Sequence, residues 1–176
     1  MRPFPKTKIE KLLNLNLGSS IYDCGDARVF NLKKYNSRVI KIVTVTSEDT
    51  EYHQKNYKKL KTIISWAKKN SNPGVAKIFA FGKFKLSGIE YYYYVMEKLE
   101  KLPRKYQNER FSELICEAYL YDSDSQLIDF LDPKIKRFIT WALEMPFKYL
   151  DCHSGNIMKN KNGNLKFVDL EGFEGE

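Results

Sequence analysis

Three oxygen-bearing side chains near the end of the chain, Asp151, Asn156 and Asp169, sit among segments that otherwise read as apolar strand, and their spacing narrows the folds open to the sequence. Asp151-Cys152-His153-Ser154-Gly155-Asn156 is a polar loop. Behind it Ile157-Met158-Lys159 and Leu165-Lys166-Phe167-Val168 read as two short strands, and Asn160-Lys161-Asn162-Gly163 has the composition of a hairpin turn. A hairpin there returns Asp169 to the side of Asn156. An amide oxygen and a carboxylate brought together suit a small hard cation that keeps several of its waters. Asp151 is then a carboxylate available to orient an attacking hydroxyl.

An Asp, an Asn five residues later and a second Asp thirteen beyond that is the order in which phosphotransferases deliver these groups. On these residues the sequence resembles the protein-kinase-like superfamily, which includes eukaryotic-type protein kinases and the aminoglycoside and choline phosphotransferases. The resemblance implies an α+β, two-lobe kinase-like fold: an antiparallel N-lobe sheet with one long helix, and a reduced helical C-lobe. It implies ATP bound between the lobes with magnesium, and transfer of the γ-phosphate to a hydroxyl, foremost on a protein Ser or Thr. Asp151 would orient the acceptor, and Asn156 and Asp169 would hold metal.

The N-terminal half offers the remaining parts. Residues 9–15 have helical spacing, ended by Gly18-Ser19-Ser20. Strands follow over residues 20–22, 27–32 and 38–43, separated by Asp23-Cys24-Gly25-Asp26 and Lys34-Tyr35-Asn36-Ser37. By the resemblance the first of these turns covers phosphates with backbone N–H groups; only Gly25 falls in its tip, and Ala27 stands where the family has its last Gly. Val39-Ile40-Lys41 resembles the family's V-A-I-K strand, so Lys41 would grip the α and β phosphates. Apolar residues flank Lys41 on both sides, which predicts a strand buried on both faces. A charge placed there needs an anion or carboxylate. The carboxylate is Glu51 or Glu48, with Glu51 preferred, on a helix capped by Ser47 that runs through Tyr57, Leu60, Ile63, Ile64 and Ala67 to the breakers at residues 70–74; both acids also suit the helix dipole.

Two further strands are expected over residues 75–84 and 90–96, joined through Ser87-Gly88. The tyrosine run ending in Met96 matches the last N-lobe strand, so the backbone from Glu97 to Leu99 would meet the adenine edge with Met96 behind it. The polar stretch 102–108 marks the lobe boundary, giving one kinase-like domain with an N-lobe of residues 1–101 and a reduced C-lobe of residues 102–176. Helical spacing recurs over residues 111–119 and 135–143, the second started by Asp132-Pro133 and stopped by Pro146.

Departures from the family pattern are informative. Tyr149-Leu150 replaces the usual His-Arg before the catalytic Asp, which removes the arginine that would read a phosphorylated activation loop. His153 gives Asp-x-His-x-Gly-Asn, the aminoglycoside-type pattern, and serves either a phosphate or the loop backbone. Glu171 stands where protein kinases have Gly. The sequence stops at Glu176, before any substrate-holding helices, which opens a third reading: a pseudokinase that binds nucleotide as an interaction module.

Composition bounds the alternatives. With 176 residues, 43% apolar and 14% aromatic, the chain can bury a core as one compact unit. No run of roughly eighteen apolar residues predicts a membrane span, and the N-terminus lacks the apolar centre of a secretion signal. A cytoplasmic protein is expected, in a host cytoplasm if the Lys, Asn, Tyr and Ile bias reflects a viral genome. Cys24, Cys116 and Cys152 have neither disulfide nor zinc spacing. A net charge of +8 makes nucleic acid an alternative partner. The basic residues are dispersed, however, and the cluster Lys55, Lys58, Lys59, Lys61, Lys68 and Lys69 reads as a solvated helix face, so a protein substrate or partner is preferred.

Overall fold

The computed structural model describes residues 4–46, 48, 50–70, 74–104 and 132–174. The helix expected over residues 111–119 and the cap Ser47 lie outside the described residues. The fold is α+β, with three α-helices and two antiparallel sheets among the described residues. Two compact units form: Met1–Tyr57 with Lys77–Lys98, and Lys58–Ala76 with Leu99–Glu176.

In the first unit helix α1 (Lys6–Leu13) precedes β1 (Leu17–Cys24), β2 (Ala27–Leu32) and β3 (Tyr35–Val45); β4 (Ile78–Leu86) and β5 (Ile89–Glu97) complete a five-stranded antiparallel sheet in the order β1-β2-β3-β5-β4. Helix α1 ends earlier than expected, at Asn14, whose left-handed conformation (φ 52°) lets its N–H close the last turn onto Glu10 and Lys11. Gly18, Ser19 and Ser20 belong to β1 instead, which Glu10 starts by accepting the Leu17 N–H at 2.7 Å. The β2–β3 turn is also shorter than expected. Tyr35 pairs with Leu32, and a register shift after Asn31, which pairs with Val39, absorbs the residues expected to form a loop. Ser87 and Gly88 turn β4 into β5 with φ of 51° and 83°, the conformation a two-residue hairpin demands.

Alternation along β3 produces the burial its sequence implies. Ile40 and Ile42 join Ile9, Leu17, Phe30, Leu32, Tyr91 and Val95 in one core cluster. Val39, Lys41 and Val43 occupy the other face and are buried as well. Helix α2 (Thr50–Asn70) contributes its first turns to this unit: Tyr57 stacks on Phe81 at 4.8 Å, and the buried His53 lies 3.6 Å from the Asp26 carboxylate.

The second unit takes the rest of α2, whose Leu60, Ile63 and Ile64 are buried. Strands β6 (Glu100–Lys101), β7 (Ile157–Lys159) and β8 (Leu165–Phe167) form an antiparallel sheet in that order. Val75, expected to open β4, makes a parallel bridge to Phe167 instead; the Phe167 and Ala76 N–H groups bond to Gly74 and Phe167 carbonyls, so β4 begins at Ile78. Helix α3 (Pro133–Leu143) starts where Asp132-Pro133 predicts, the Asp132 carboxylate accepting the Lys134 N–H at 2.9 Å. It buries Ile135, Phe138, Ile139 and Ala142. Phe167 is the hub of this core: Tyr149 stacks on it at 3.9 Å, and Phe138 and Phe173 pack at 4.8 and 5.7 Å. Each such fully buried ring contributes about 1.5–3 kcal/mol of apolar transfer.

Candidate phosphotransfer site

The β7–β8 hairpin does what its turn residues promise. The Asn160 side-chain oxygen accepts from the N–H groups of Asn162 and Asn164, both at 3.0 Å, and Gly163 takes φ 78°. Ile157 pairs with Phe167, and the Val168 N–H donates to the Asn156 carbonyl at 3.1 Å. The backbones that carry Asn156 and Asp169 are thereby held side by side.

Asn156 is 8% exposed and knits the loop to itself. Its amide nitrogen donates to the Asp151 carboxylate at 2.7 Å and to the Asp151 carbonyl at 3.0 Å, while its backbone N–H reaches the His153 carbonyl at 2.9 Å. With the amide nitrogen committed to Asp151, the amide oxygen is the atom left for a cation. The Asp151 side chain is 59% exposed, and its second oxygen lies 3.8 Å from His153 Nε2. His153 Nδ1 accepts the Gly155 N–H at 3.0 Å, so in a neutral ring the proton belongs to Nε2, facing Asp151. A Cβ on Gly155 would come within 2.7 Å of that ring, so glycine there leaves the imidazole its present place. Of the two roles open to His153, the loop-backbone contact is formed.

Asp169 caps a short 3-10 turn, Leu170–Gly172, with its carboxylate accepting the Glu171 N–H at 3.2 Å. The carbonyls around this turn are accounted for one by one. Asp169 O receives the Tyr149 hydroxyl at 2.9 Å and the Gly172 N–H at 3.2 Å; Leu170 O receives Phe173; Gly172 O receives Leu150 at 2.9 Å and Asp151 at 3.4 Å. The Lys59 ammonium takes the carbonyls of Glu171 and Phe173, both at 2.7 Å. Tyr149 is fully buried, and burial first, then the nearby charges of Asp169 and Asp151, push its hydroxyl well above the ordinary tyrosine range. A Cβ on Gly172 would lie 2.8 Å from that ring.

The donor set fits a magnesium-like ion: an amide and a carboxylate, both hard oxygens, on backbones locked together, with the remaining positions left to water and phosphate. Among the described residues no group of three or more His, Cys, Asp and Glu is placed to hold a metal alone. Cys152, half-buried and next in sequence to Asp151 and His153, is not part of a disulfide.

The other expected site residues, Leu99 apart, fall in the first unit. Lys41 is buried on β3, with its ammonium 5.8 Å from the Tyr94 ring centre. Glu51 and Glu48, the two acids considered for it, are both exposed. Gly25 (φ 55°) and Asp26 form a two-residue turn between β1 and β2, followed by Ala27. Met96 is buried on β5, and the N–H groups of Glu97 and Lys98 are taken by Lys77 and Ser37 carbonyls at 2.9 and 2.8 Å. Leu99 is the next residue and begins the second unit's later segment. The contributions of Lys59, Tyr149 and Gly172 were not legible beforehand. Only the positions of Lys59 within a basic run and of Tyr149 next to the loop hinted at them.

No protein-family model and no curated protein matches the chain. Solved structures do. WbdD in complex with the kinase inhibitor LY294002 superposes with a TM-score of 0.53 at 14% identity, covering 90% of this chain and 33% of that one. A second crystal structure of WbdD gives 0.54 at 14% identity over 91% of this chain and 33% of that one. The chain spans about a third of the length of these solved proteins. At that identity what is shared is the fold. Among the described residues no helix is long and apolar enough to cross a membrane.

Proposed function

We propose that this protein is an ATP- and magnesium-dependent phosphotransferase that moves the γ-phosphate to a hydroxyl, most readily a protein Ser or Thr, in the cytoplasm. The observation that carries the reading is the Asp151–Asn156 hydrogen bond on a hairpin that sets Asn156 beside Asp169. In this reading the Asp151 carboxylate, exposed and held on one oxygen by Asn156, orients the acceptor hydroxyl and takes its hydrogen bond. Asn156 and Asp169 supply oxygens to magnesium, which when bound neutralises charge on the transferring phosphate. Lys41 holds the α and β phosphates, and the sparse Gly25 turn with Ala27 covers them. Glu51 is the acid assigned to Lys41. Met96 backs the adenine, and the backbone from Glu97 to Leu99 meets its edge, through carbonyls where the Glu97 and Lys98 N–H groups are already bonded.

His153 supports a second reading, transfer to a small molecule, because its bond to Gly155 builds the Asp-x-His-x-Gly-Asn loop that resembles aminoglycoside-type enzymes. The test begins with binding. Magnesium and ATP at about a hundred times the dissociation constant stabilise a fold by about 2.7 kcal/mol, roughly 5–11 °C in melting temperature for a chain of this size. Asp169→Asn is expected to abolish that shift with the apo melting temperature retained, and an unshifted wild type would refute the nucleotide site. Labelled ATP is then expected to label a protein acceptor, and Asp151→Ala to remove the signal. Label found only on a metabolite selects the small-molecule reading; binding without any transfer selects the pseudokinase.

A further inference from the structure

The one lysine of the α2 basic run that is drawn out of solvent is Lys59, and it is bonded to the turn that follows Asp169. Lys55, Lys58, Lys61, Lys68 and Lys69 are exposed as a solvated face should be, whereas Lys59 is partly buried. Its ammonium donates to the carbonyls of Glu171 and Phe173, at 2.7 Å each, lengths typical of charge-assisted bonds. The other carbonyls of residues 169–173 are satisfied from within residues 149–173: by the Tyr149 hydroxyl and the N–H groups of Leu150, Asp151, Gly172 and Phe173. Lys59 thus ties this turn to α2. The same turn orients Asp169 through the Glu171 N–H and, through the Gly172 carbonyl, receives Leu150 and Asp151.

We infer that Lys59 is a positioning residue: it fixes the Leu170–Gly172 turn to α2 and thereby sets the Asp169 carboxylate for its cation and the start of the Asp151 loop. The inference deepens the phosphotransferase reading and rests on it for the cation. Charge and reach both matter. A single ammonium spans two carbonyls two residues apart, and its charge strengthens both bonds. Removing it leaves two carbonyls in search of donors and frees the turn to rotate, carrying Asp169 with it. Metal sites that lose such an outer contact characteristically bind metal roughly 10- to 100-fold more weakly.

The experiment uses the full chain and manganese as a magnetic stand-in for magnesium. Water relaxation titrated with manganese and a non-hydrolysable ATP analogue is expected to show affinity about tenfold or more weaker in Lys59→Met, while Lys59→Arg, whose guanidinium can donate to both carbonyls, stays within about threefold of wild type. Lys58→Met, one residue away on the solvated face, is expected to change nothing. Wild-type affinity in a folded Lys59→Met overturns the inference, as does an equal loss in Lys58→Met. If Lys59→Met does not fold, Lys59→Gln is read in the same way, and unfolding of every Lys59 variant, Arg included, makes the residue merely structural and also overturns it. A wild type that binds no manganese nucleotide defeats the phosphotransferase reading instead. Amide exchange then still tests Lys59: faster exchange at Leu150, Asp151 and Gly172 in Lys59→Met supports the anchor, and unchanged exchange overturns it.

Discussion

Tyr149 shows how much one side chain does below the site. Its ring stacks on Phe167, its hydroxyl holds the Asp169 carbonyl, and Gly172 passes so close that a methyl group there would meet the ring. Because its titration is displaced upward, the folded protein keeps this hydroxyl neutral where an unfolded chain ionises it, above about pH 10. The unfolded state then binds fewer protons than the folded one, so stability present at lower pH is lost as pH rises. Tyr149→Phe is expected to cost about 1 kcal/mol at pH 7 through the lost hydrogen bond and to flatten the decline above pH 10, measured by urea unfolding at both values. Parallel declines in the two proteins would contradict the burial argument.

At the level of elements, the β7–β8 hairpin is the piece that makes a site of residues far apart in the chain. Its strands are three residues each, too short to hold register by pairing alone, so the Asn160 turn bears much of that task. Asn160→Ala is expected to destabilise the protein by about 1–2 kcal/mol and to weaken magnesium-dependent ATP binding; a thermal melt with and without the nucleotide reads both, and unaltered binding would show that β-pairing suffices. This hairpin was visible in the sequence because turn residues and alternation obey local rules. So were the α2 stripe, α3 with its Asp132-Pro133 start, and β3 buried on both faces. What escaped was decided at a distance. Two-residue β6 has no pattern of its own, Val75 was drawn from a strand by its bond to Phe167, and Lys59 looks like any other lysine in its run until the carbonyls of Glu171 and Phe173 are in place. At the candidate site, the loop and hairpin that carry Asp151, Asn156 and Asp169 stood out by local spacing, whereas the contacts of Tyr149, Gly172 and Lys59 around them did not.

For the molecule as a whole, the excess of positive charge has to be reconciled with the site. Thirty basic against twenty-two acidic residues attract any polyanion at low ionic strength. Yet the α2 lysines lie along an exposed face, and the one drawn inward is committed to protein carbonyls. DNA binding is therefore expected to be weak and sequence-independent and to vanish near physiological salt, as counterion release requires of scattered phosphate contacts. Fluorescence anisotropy with a labelled duplex in low and in 150 mM salt checks this, and submicromolar binding at the higher salt would favour a nucleic-acid interface.

The reversal between β1 and β2 is made by Gly25 and Asp26 alone. So brief a bend has few amides with which to envelop a triphosphate, so on the proposed reading a nucleotide would gain little from this turn and exchange rapidly. On the same reading, inhibitors whose selectivity comes from wrapping a long glycine-rich flap would find little purchase, whereas compounds that engage the Asp169 turn would meet backbone bonded by Tyr149 and Lys59.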